Sequence, residues 1–485
     1  MKALLLIFLA LVPIVAQSAK HHPEPGILRD FASFDPEEKL AFLLEMPKGA
    51  DLDEAISGSV YAESMIPWAA KKGLCLDHSL ALSLPPCSNK EPPVKSALSD
   101  PDLYQKLLDA WSMRNAEDRA HFREAFGKFE LAQQGMTGAM LAEMRSRAAR
   151  AHVLYMEIAV SPDEHAALAL GKRLGWDHHF HNTLENLDNN GLPRLVSSSL
   201  EEMKLAESEE DRQLGCGGPN ADPGCSVKSS YLYAVSGNAP PGAVFAQLAA
   251  GFEIASTKGS NFSGILLDGY EEDSTTDFAL QMKMIDFLRS VHPGVHVAVN
   301  AGELTTKLVP PEELSFHVND AVILGHAERI GQGADIMHEA KGLMGTLSAK
   351  KILIDICPSR LHTVLGTKQD PLSLYERHGV PVSISGCDAG VLRSELAREY
   401  LMTALQNNLG YADLKRMARN SLQYAFMPGK SLWRDATKFI PVNACRRGLS
   451  RLKASPNCLK YLKENEKAAL QWQLEAEFRD FEKRH

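Results

Sequence analysis

Short runs of β-branched and other apolar residues recur along the chain, each closed by turn residues and separated from the next by a stretch of helical pattern. The runs are Ala50–Ser57, His152–Val160, Tyr231–Val235, Ser263–Asp268, Val295–Val299, Ala321–Leu324, Lys351–Cys357 and Pro381–Ser385. Asp277–Val291 and Pro310–Val318 read as helices between them. Strands that alternate with helices are joined by crossovers and pair in parallel, so eight of them predict a closed (β/α)8, or TIM, barrel of the α/β class. A doubly wound open sheet is the alternative, but no Gly-x-Gly-x-x-Gly follows an early strand to support it.

The remaining pattern fits around that barrel. Residues 19–45 are polar and then helical, a lead-in to a barrel spanning 46–440, and 441–485 form a helical tail. A long excursion after the first strand, about 61–150, holds a Pro/Ser/Lys-rich stretch, Leu84–Pro101, and a helical run, Leu103–Gln134. It reads as an insertion or cap rather than a separate domain. Length alone, 485 residues, suggests two or three domains, and a closed barrel lowers that count.

In such barrels the chemistry sits where the strands end. The fifth run closes on Val299-Asn-Ala-Gly-Glu303, the sixth on Leu324-Gly-His-Ala-Glu-Arg-Ile-Gly-Gln-Gly333, and the eighth on Ile384-Ser-Gly-Cys-Asp-Ala-Gly390. Polar clusters at three strand ends mark the candidate site.

Charge and the terminus narrow the partners. A net charge of −9, with no basic run, argues against a nucleic-acid or anionic-membrane surface. Lys2, the apolar run Ala3–Ala16 and the small residues of Ala16-Gln17-Ser18 predict a secretory signal over 1–18, too short to span a membrane, and hence an exported (periplasmic or extracellular) protein. Eight cysteines in an oxidising compartment suggest local pairs: Cys75 with Cys87, Cys216 with Cys225, Cys445 with Cys458. Cys357 and Cys387 end neighbouring strand candidates; two separate buried thiols are the favoured expectation, a bridge between them the alternative.

The stretch Met46-Pro-Lys-Gly-Ala-Asp-Leu-Asp-Glu-Ala-Ile-Ser-Gly58 resembles the first barrel strand of the adenosine deaminase family, metallo-dependent hydrolases, in its secreted growth-factor-like branch. The strand-end motifs resemble the family's others, as does Met417-Ala-Arg-Asn-Ser-Leu-Gln-Tyr-Ala-Phe-Met-Pro-Gly429, and together they cover Met46 to Trp433. The resemblance implies a zinc-bound hydroxide that attacks C6 of adenine, a glutamic acid that protonates the ring and a histidine that orients the water. It also implies where this chain departs. The family's four zinc ligands fall on Asp53, Ala55, Asn300 and Cys387, and its catalytic histidine on Gln332, whereas Glu303 and Asp388 are retained. Alanine offers no donor atom and an amide is no base. The expectation is an impaired pseudoenzyme that holds no zinc and binds a purine nucleoside or a partner, a homodimer or an active paralogue among them. The alternative is an active deaminase or related hydrolase with a metal site rebuilt from Asp53, Glu303, Cys387 and Asp388.

Plain expectations attach to the other conspicuous residues. Glu54 should point away from Asp53. His178, His179 and His181 belong to a surface helix or loop, and His326 supports the pocket. Lys48 and Arg329 position strand ends or pair with carboxylates.

Overall fold

A computed structural model describes residues 31–273, 277–367, 371–449 and 452–485. The signal-peptide expectation over 1–18 and the start of the lead-in lie outside the described residues.

Eight parallel strands form one sheet in which each strand neighbours the next in sequence: β1 Gly49–Ala55, β2 Val153–Val160, β3 Lys228–Ser236, β4 Phe262–Asp268, β5 His296–Ala301, β6 Arg329–Gln332, β7 Leu353–Ile356 and β8 Val382–Ile384. Helices such as Pro241–Ser256 and Phe278–Val291 return the chain between them, as parallel pairing requires. The sheet curls into a (β/α)8 barrel. The seam between β8 and β1 is bridged by side chains: Leu52 N–H donates to Ser385 Oγ at 3.0 Å, and Gly386 N–H donates to Asp51 Oδ1 at 2.9 Å.

The two strand faces bury against different partners. Outward residues join one large apolar core with the surrounding helices. Inward residues are few and small: Ala159, Leu232, Leu266 and Ala298 pack with Phe426 as a separate cluster. The rest of the interior is polar. Arg329 Nη1 pairs with Glu157 Oε2 at 2.6 Å, both fully enclosed, and the guanidinium lies 4.4 Å from the Phe426 ring centre. Ser383 and Ser385 donate to the two oxygens of Asp355 at 2.6 and 2.7 Å.

One predicted strand is misplaced. Ala321–Leu324 is the end of a helix, His317–Ile323, and the sixth strand is Arg329–Gln332. A four-residue apolar run carries no period that separates helix from strand. The true strand is Arg-Ile-Gly-Gln, whose polar members face an interior that tolerates them.

The excursion after β1 forms helices Ala62–Lys71, Pro101–Ala110, Arg119–Gln133 and Thr137–Arg150, with a small hairpin, Cys75–Leu76 against Leu82–Ser83. Asp118 caps the third of these, its carboxylate accepting the His121 N–H at 2.8 Å, and so fixes where Phe122 and Phe126 are presented. Among the described residues no helix is long and apolar enough to cross a membrane.

Disulfides join Cys75–Cys87, Cys216–Cys225 and Cys445–Cys458, with Cα separations of 5.3, 5.6 and 4.7 Å. Cys357 and Cys387 are buried free thiols, so no bridge crosses the ends of β7 and β8. Peptide mapping of denatured, unreduced protein should therefore alkylate Cys357 and Cys387 alone. A Cys357–Cys387 linked peptide would contradict this arrangement.

Candidate functional site

A cavity of about 430 Å³ opens at the C-terminal ends of β1 to β4, with Ala55, Asp268, Arg360 and Asp388 in its floor and Phe122, Phe126 and Tyr270 in its walls. Its wall is held by charge. Arg119 grips both oxygens of Glu272 at 2.9 Å, and Arg123 lies 4.0 Å from the Tyr270 ring centre, tying the loop after β4 to the helix Arg119–Gln133.

The site residues expected from sequence divide into two groups. The first is a buried chain of hydrogen bonds. Cys387 Sγ–H donates to Asp53 Oδ2 at 3.7 Å, Gln332 Nε2 donates to Cys387 Sγ at 3.5 Å, and the Cys357 N–H donates to Gln332 Oε1 at 3.2 Å. Asn300 stands beside it: a Cβ added at Gly331 would lie 1.9 Å from Asn300 Oδ1 and 3.4 Å from Asp53 Oδ2. Register explains this convergence, since Asn300 pairs with Gly331 and Gly331 with Asp355 across β5, β6 and β7. Asp53, Asn300, Gln332 and Cys387 thus meet at one end of the barrel. Asn300 Nδ2 donates to Asp268 Oδ1 at 3.2 Å, and its buried Oδ1 has no protein donor. Ala55 lies apart from this chain, in the cavity floor.

The second group surrounds Arg360. Its Nε lies 2.9 Å from Glu303 Oε1, its Nη2 donates to Glu303 Oε2 at 3.0 Å, and its Nη1 donates to Asp388 Oδ2 at 3.2 Å. Asp268 Oδ1 is 3.4 Å from Nη2. The loop that carries Arg360 leaves β7 and is pinned by Glu399, whose Oε2 accepts the Ser359 N–H at 2.9 Å. Cys387 and Asp388 both have positive φ, 24° and 37°, so the turn after β8 holds strained backbone while aiming both side chains inward.

Burial dominates the acid–base character of these groups. It raises the carboxyl of Asp388 to about 7 despite the pull of Arg360. Glu303 is also raised by burial, again partly offset by Arg360. Asp53 rises well above the ordinary carboxyl range through burial and the nearby Asp355. Burial pushes the Cys357 thiol to about 12 and Cys387 upward as well, so both remain thiols near neutral pH.

The donors of a rebuilt metal site are therefore divided: Asp53 sits with Cys387, while Glu303 and Asp388 sit on Arg360. Among the described residues no three His, Cys, Asp or Glu side chains are grouped to hold a metal ion. Glu54 accepts from Ser59 Oγ and lies 4.0 Å from Arg147, away from Asp53 as expected. His178, His179 and His181 are exposed, as expected. His326 does not support the pocket: it is exposed and pairs with Asp286 at 2.8 Å, ahead of β6 rather than beyond its end. Arg329 pairs with a carboxylate, whereas the buried Lys48 ammonium donates to the carbonyls of Leu43, Met46 and Ala151.

Sequence reasoning missed Arg360 and Asp268. Both had a signal: Asp268 closes the fourth run, and Arg360 stands three residues beyond the seventh, the zone in which barrel chemistry collects.

Residues 229–434 match the family model described as adenosine deaminase. Over 160 residues the chain is 31% identical to the adenosine deaminase of Yersinia pseudotuberculosis, covering 32% of this chain and 45% of that one. It is 30% identical over 150 residues to the aminodeoxyfutalosine deaminase of Streptomyces coelicolor, covering 30% and 36%. The chain thus spans less than half the length of these curated relatives. The crystal structure of an adenine deaminase from Arthrobacter aurescens shares the fold, with a TM-score of 0.52 at 14% identity, covering 79% of this chain and 94% of that one.

Proposed function

We propose that this adenosine-deaminase-related barrel is an exported pseudoenzyme of the secreted growth-factor-like branch, binding a purine nucleoside or a protein partner at its mouth without deaminating it. The observation that carries the reading is the hydrogen-bonded chain Asp53–Cys387–Gln332–Cys357 in the place where the resemblance puts metal and base.

Zinc takes imidazole nitrogen, thiolate sulfur and carboxylate oxygen in tetrahedral sets. Of the four positions, Ala55 has no donor, Asn300 commits its amide nitrogen to Asp268, and Cys387 is held as a thiol that donates to Asp53. This donor set does not fit zinc, and no hydrolytic step is assigned to it. Gln332 has no basic nitrogen with which to activate a water. Glu303 and Asp388 remain, but Arg360 engages both. The cavity and its aromatic wall are what the reading leaves for a ligand.

The competing reading, an active hydrolase, has one observation in its favour: Glu303 and Asp388 still converge at the barrel mouth. The purified protein should leave adenosine unchanged by ultraviolet absorbance, with or without added zinc, and carry no stoichiometric metal. A missing acid–base partner removes roughly 10²–10⁴-fold of rate, and the metal's share is lost as well. Zinc-dependent formation of inosine at ~10 s⁻¹, an ordinary enzyme turnover, would overturn the proposal.

A further inference from the structure

We propose that the C-terminal module from Lys430 to Lys463 is a docking surface for an anionic phospholipid membrane, holding the protein at the lipid surface without entering it. The net charge of −9 conceals a local excess of the opposite sign. Between Lys430 and Lys463 nine residues are Lys or Arg, and Asp435 is the one acid. The charge of the whole chain, which argues against an anionic surface, averages this module with a far more acidic remainder.

The fold gathers these charges on one small body. Leu432, Trp433, Cys445, Cys458 and Ala468 pack as a core of their own, separate from that of the barrel, and the Cys445–Cys458 disulfide closes it. Lys430, Arg434 and Lys438 stand on and beside the hairpin formed by Trp433–Asp435 and Ile440–Pro441. Arg446, Arg447 and Lys453 lie within the disulfide loop. Lys460 and Lys463 follow on the helix Pro456–Glu464, three residues apart and so on one side of it. All eight are exposed. Among the described residues only Lys460 has a carboxylate at ion-pair distance, Glu464 at 3.9 Å. Exposed cations elsewhere do find acids, as Arg212 does with Glu209 and Lys483 with Asp480. Like charges left unpaired on one body repel one another, and an anionic partner relieves that repulsion.

One side chain favours a lipid surface over other polyanions. Leu459 is 58% exposed, between the disulfide at Cys458 and the ammonium of Lys460. A charged polymer gains little from an exposed leucine, whereas a lipid interface takes up the apolar side chain and sets phosphates around the cations. The placement fits as well. Ala436, Thr437 and Phe439 of the hairpin border Pro381 and Val382 at the start of β8, so the module lies at the end of the barrel opposite the cavity. Docking leaves the mouth open, and the inference is independent of what the cavity binds.

The full-length protein is sedimented with vesicles of phosphatidylcholine, alone or mixed with phosphatidylglycerol. It should bind only the mixed vesicles at about 0.1 M salt and leave them at about 1 M, where screening is nearly complete. Arg447→Gln with Lys463→Gln should weaken binding roughly 25-fold, since each cation near an anionic surface contributes about fivefold. Lys172→Gln with Lys204→Gln, exposed lysines outside the module, should leave it unchanged. Leu459→Ser should weaken vesicle binding about fivefold, a fraction of a full leucine burial, and leave retention on immobilised heparin as it was. All of these variants should keep the wild-type circular dichroism, because the replaced side chains are exposed.

Equal binding to both kinds of vesicle, or to neither, would overturn the proposal. So would an Arg447→Gln, Lys463→Gln protein or a Leu459→Ser protein that holds the mixed vesicles as tightly as wild type. Capture by heparin or duplex DNA without capture by vesicles would likewise end it and assign the surface to a polymer.

Discussion

Replacing Arg329 by methionine should destabilise the fold by about 3–5 kcal/mol, because it strands a buried carboxylate. Glu157 is completely enclosed inside the barrel and Arg329 is its ion-pair partner, at 2.6 Å. Two further donors, the Phe426 N–H and the Tyr155 hydroxyl, would remain, but neither brings a full positive charge. The arginine also faces the Phe426 ring, so its loss opens space in the inward cluster. Removing both charges together, as Arg329→Met with Glu157→Leu, should cost far less than the single change, since well-packed apolar groups often substitute for a buried pair. Denaturant unfolding of the single and double variants separates the cases. A single variant within about 1 kcal/mol of wild type would mean that water reaches Glu157 and that the interior is not closed.

Stability should fall as the pH rises from about 5 to about 8, the reverse of a protein held by ordinary surface ion pairs. Burial raises Asp388 and Glu399 from ordinary carboxyl values to about 7, and burial together with Glu339 raises Asp335 to about 8. For an acid raised in the folded state, the native protein holds the proton more tightly than the unfolded chain. The resulting stabilisation is complete below the unfolded value near 4 and lost as the pH climbs through 7 to 8. A carboxyl moved from 3.8 to about 7 corresponds to roughly 4 kcal/mol across that window, at 1.36 kcal/mol per pH unit. Lys48 runs the other way and later: burial lowers its ammonium from 10.5 to about 7, so its penalty is full below 7 and relieved between about 7 and 10.5. Urea midpoints measured at pH 5, 6.5 and 8 should therefore decline in that order. Midpoints that climb from pH 5 to pH 8 would show that these carboxyls are ionised at little cost in the native state.

The barrel was legible wherever a strand is a long and mostly apolar run, as in Val153–Val160, in which Glu157 is the one charged residue, and Phe262–Asp268. It was illegible at Arg329–Gln332, a four-residue strand in which Ile330 is the one large apolar residue and the polar members face a polar interior. The local disulfides were legible from spacing and turn-rich loops. Within the site, the resemblance named Asp53, Asn300, Gln332 and Cys387, and the barrel's strand order brings them to one end. What spacing does not reveal is which polar groups satisfy one another. Asp268 and Arg360 are ordinary residues until the fold places the guanidinium among three carboxylates, and that grouping exists only in three dimensions. His326 shows the converse: one histidine lies at the exposed start of a strand whose far end forms the site.

The side-chain seam of the barrel carries a consequence for how the protein is made. Cys387 and Asp53 touch across 334 positions of sequence, and Ser385 and Leu52 across 333. A nascent chain lays down β1 early and must wait for nearly the whole barrel to be synthesised before the ring can shut. Contacts of such long separation form late and slowly, since the intervening chain must first be ordered. Until then β1 presents an open edge, the kind of surface to which a stray strand adds. Asp51, Asp53 and Glu54 lie along that edge and place three carboxylates in the path of any foreign strand. The acids that later hold β8 across the seam, Asp51 on the Gly386 N–H and Asp53 on the Cys387 thiol, are during biosynthesis the groups that keep the unfinished edge soluble.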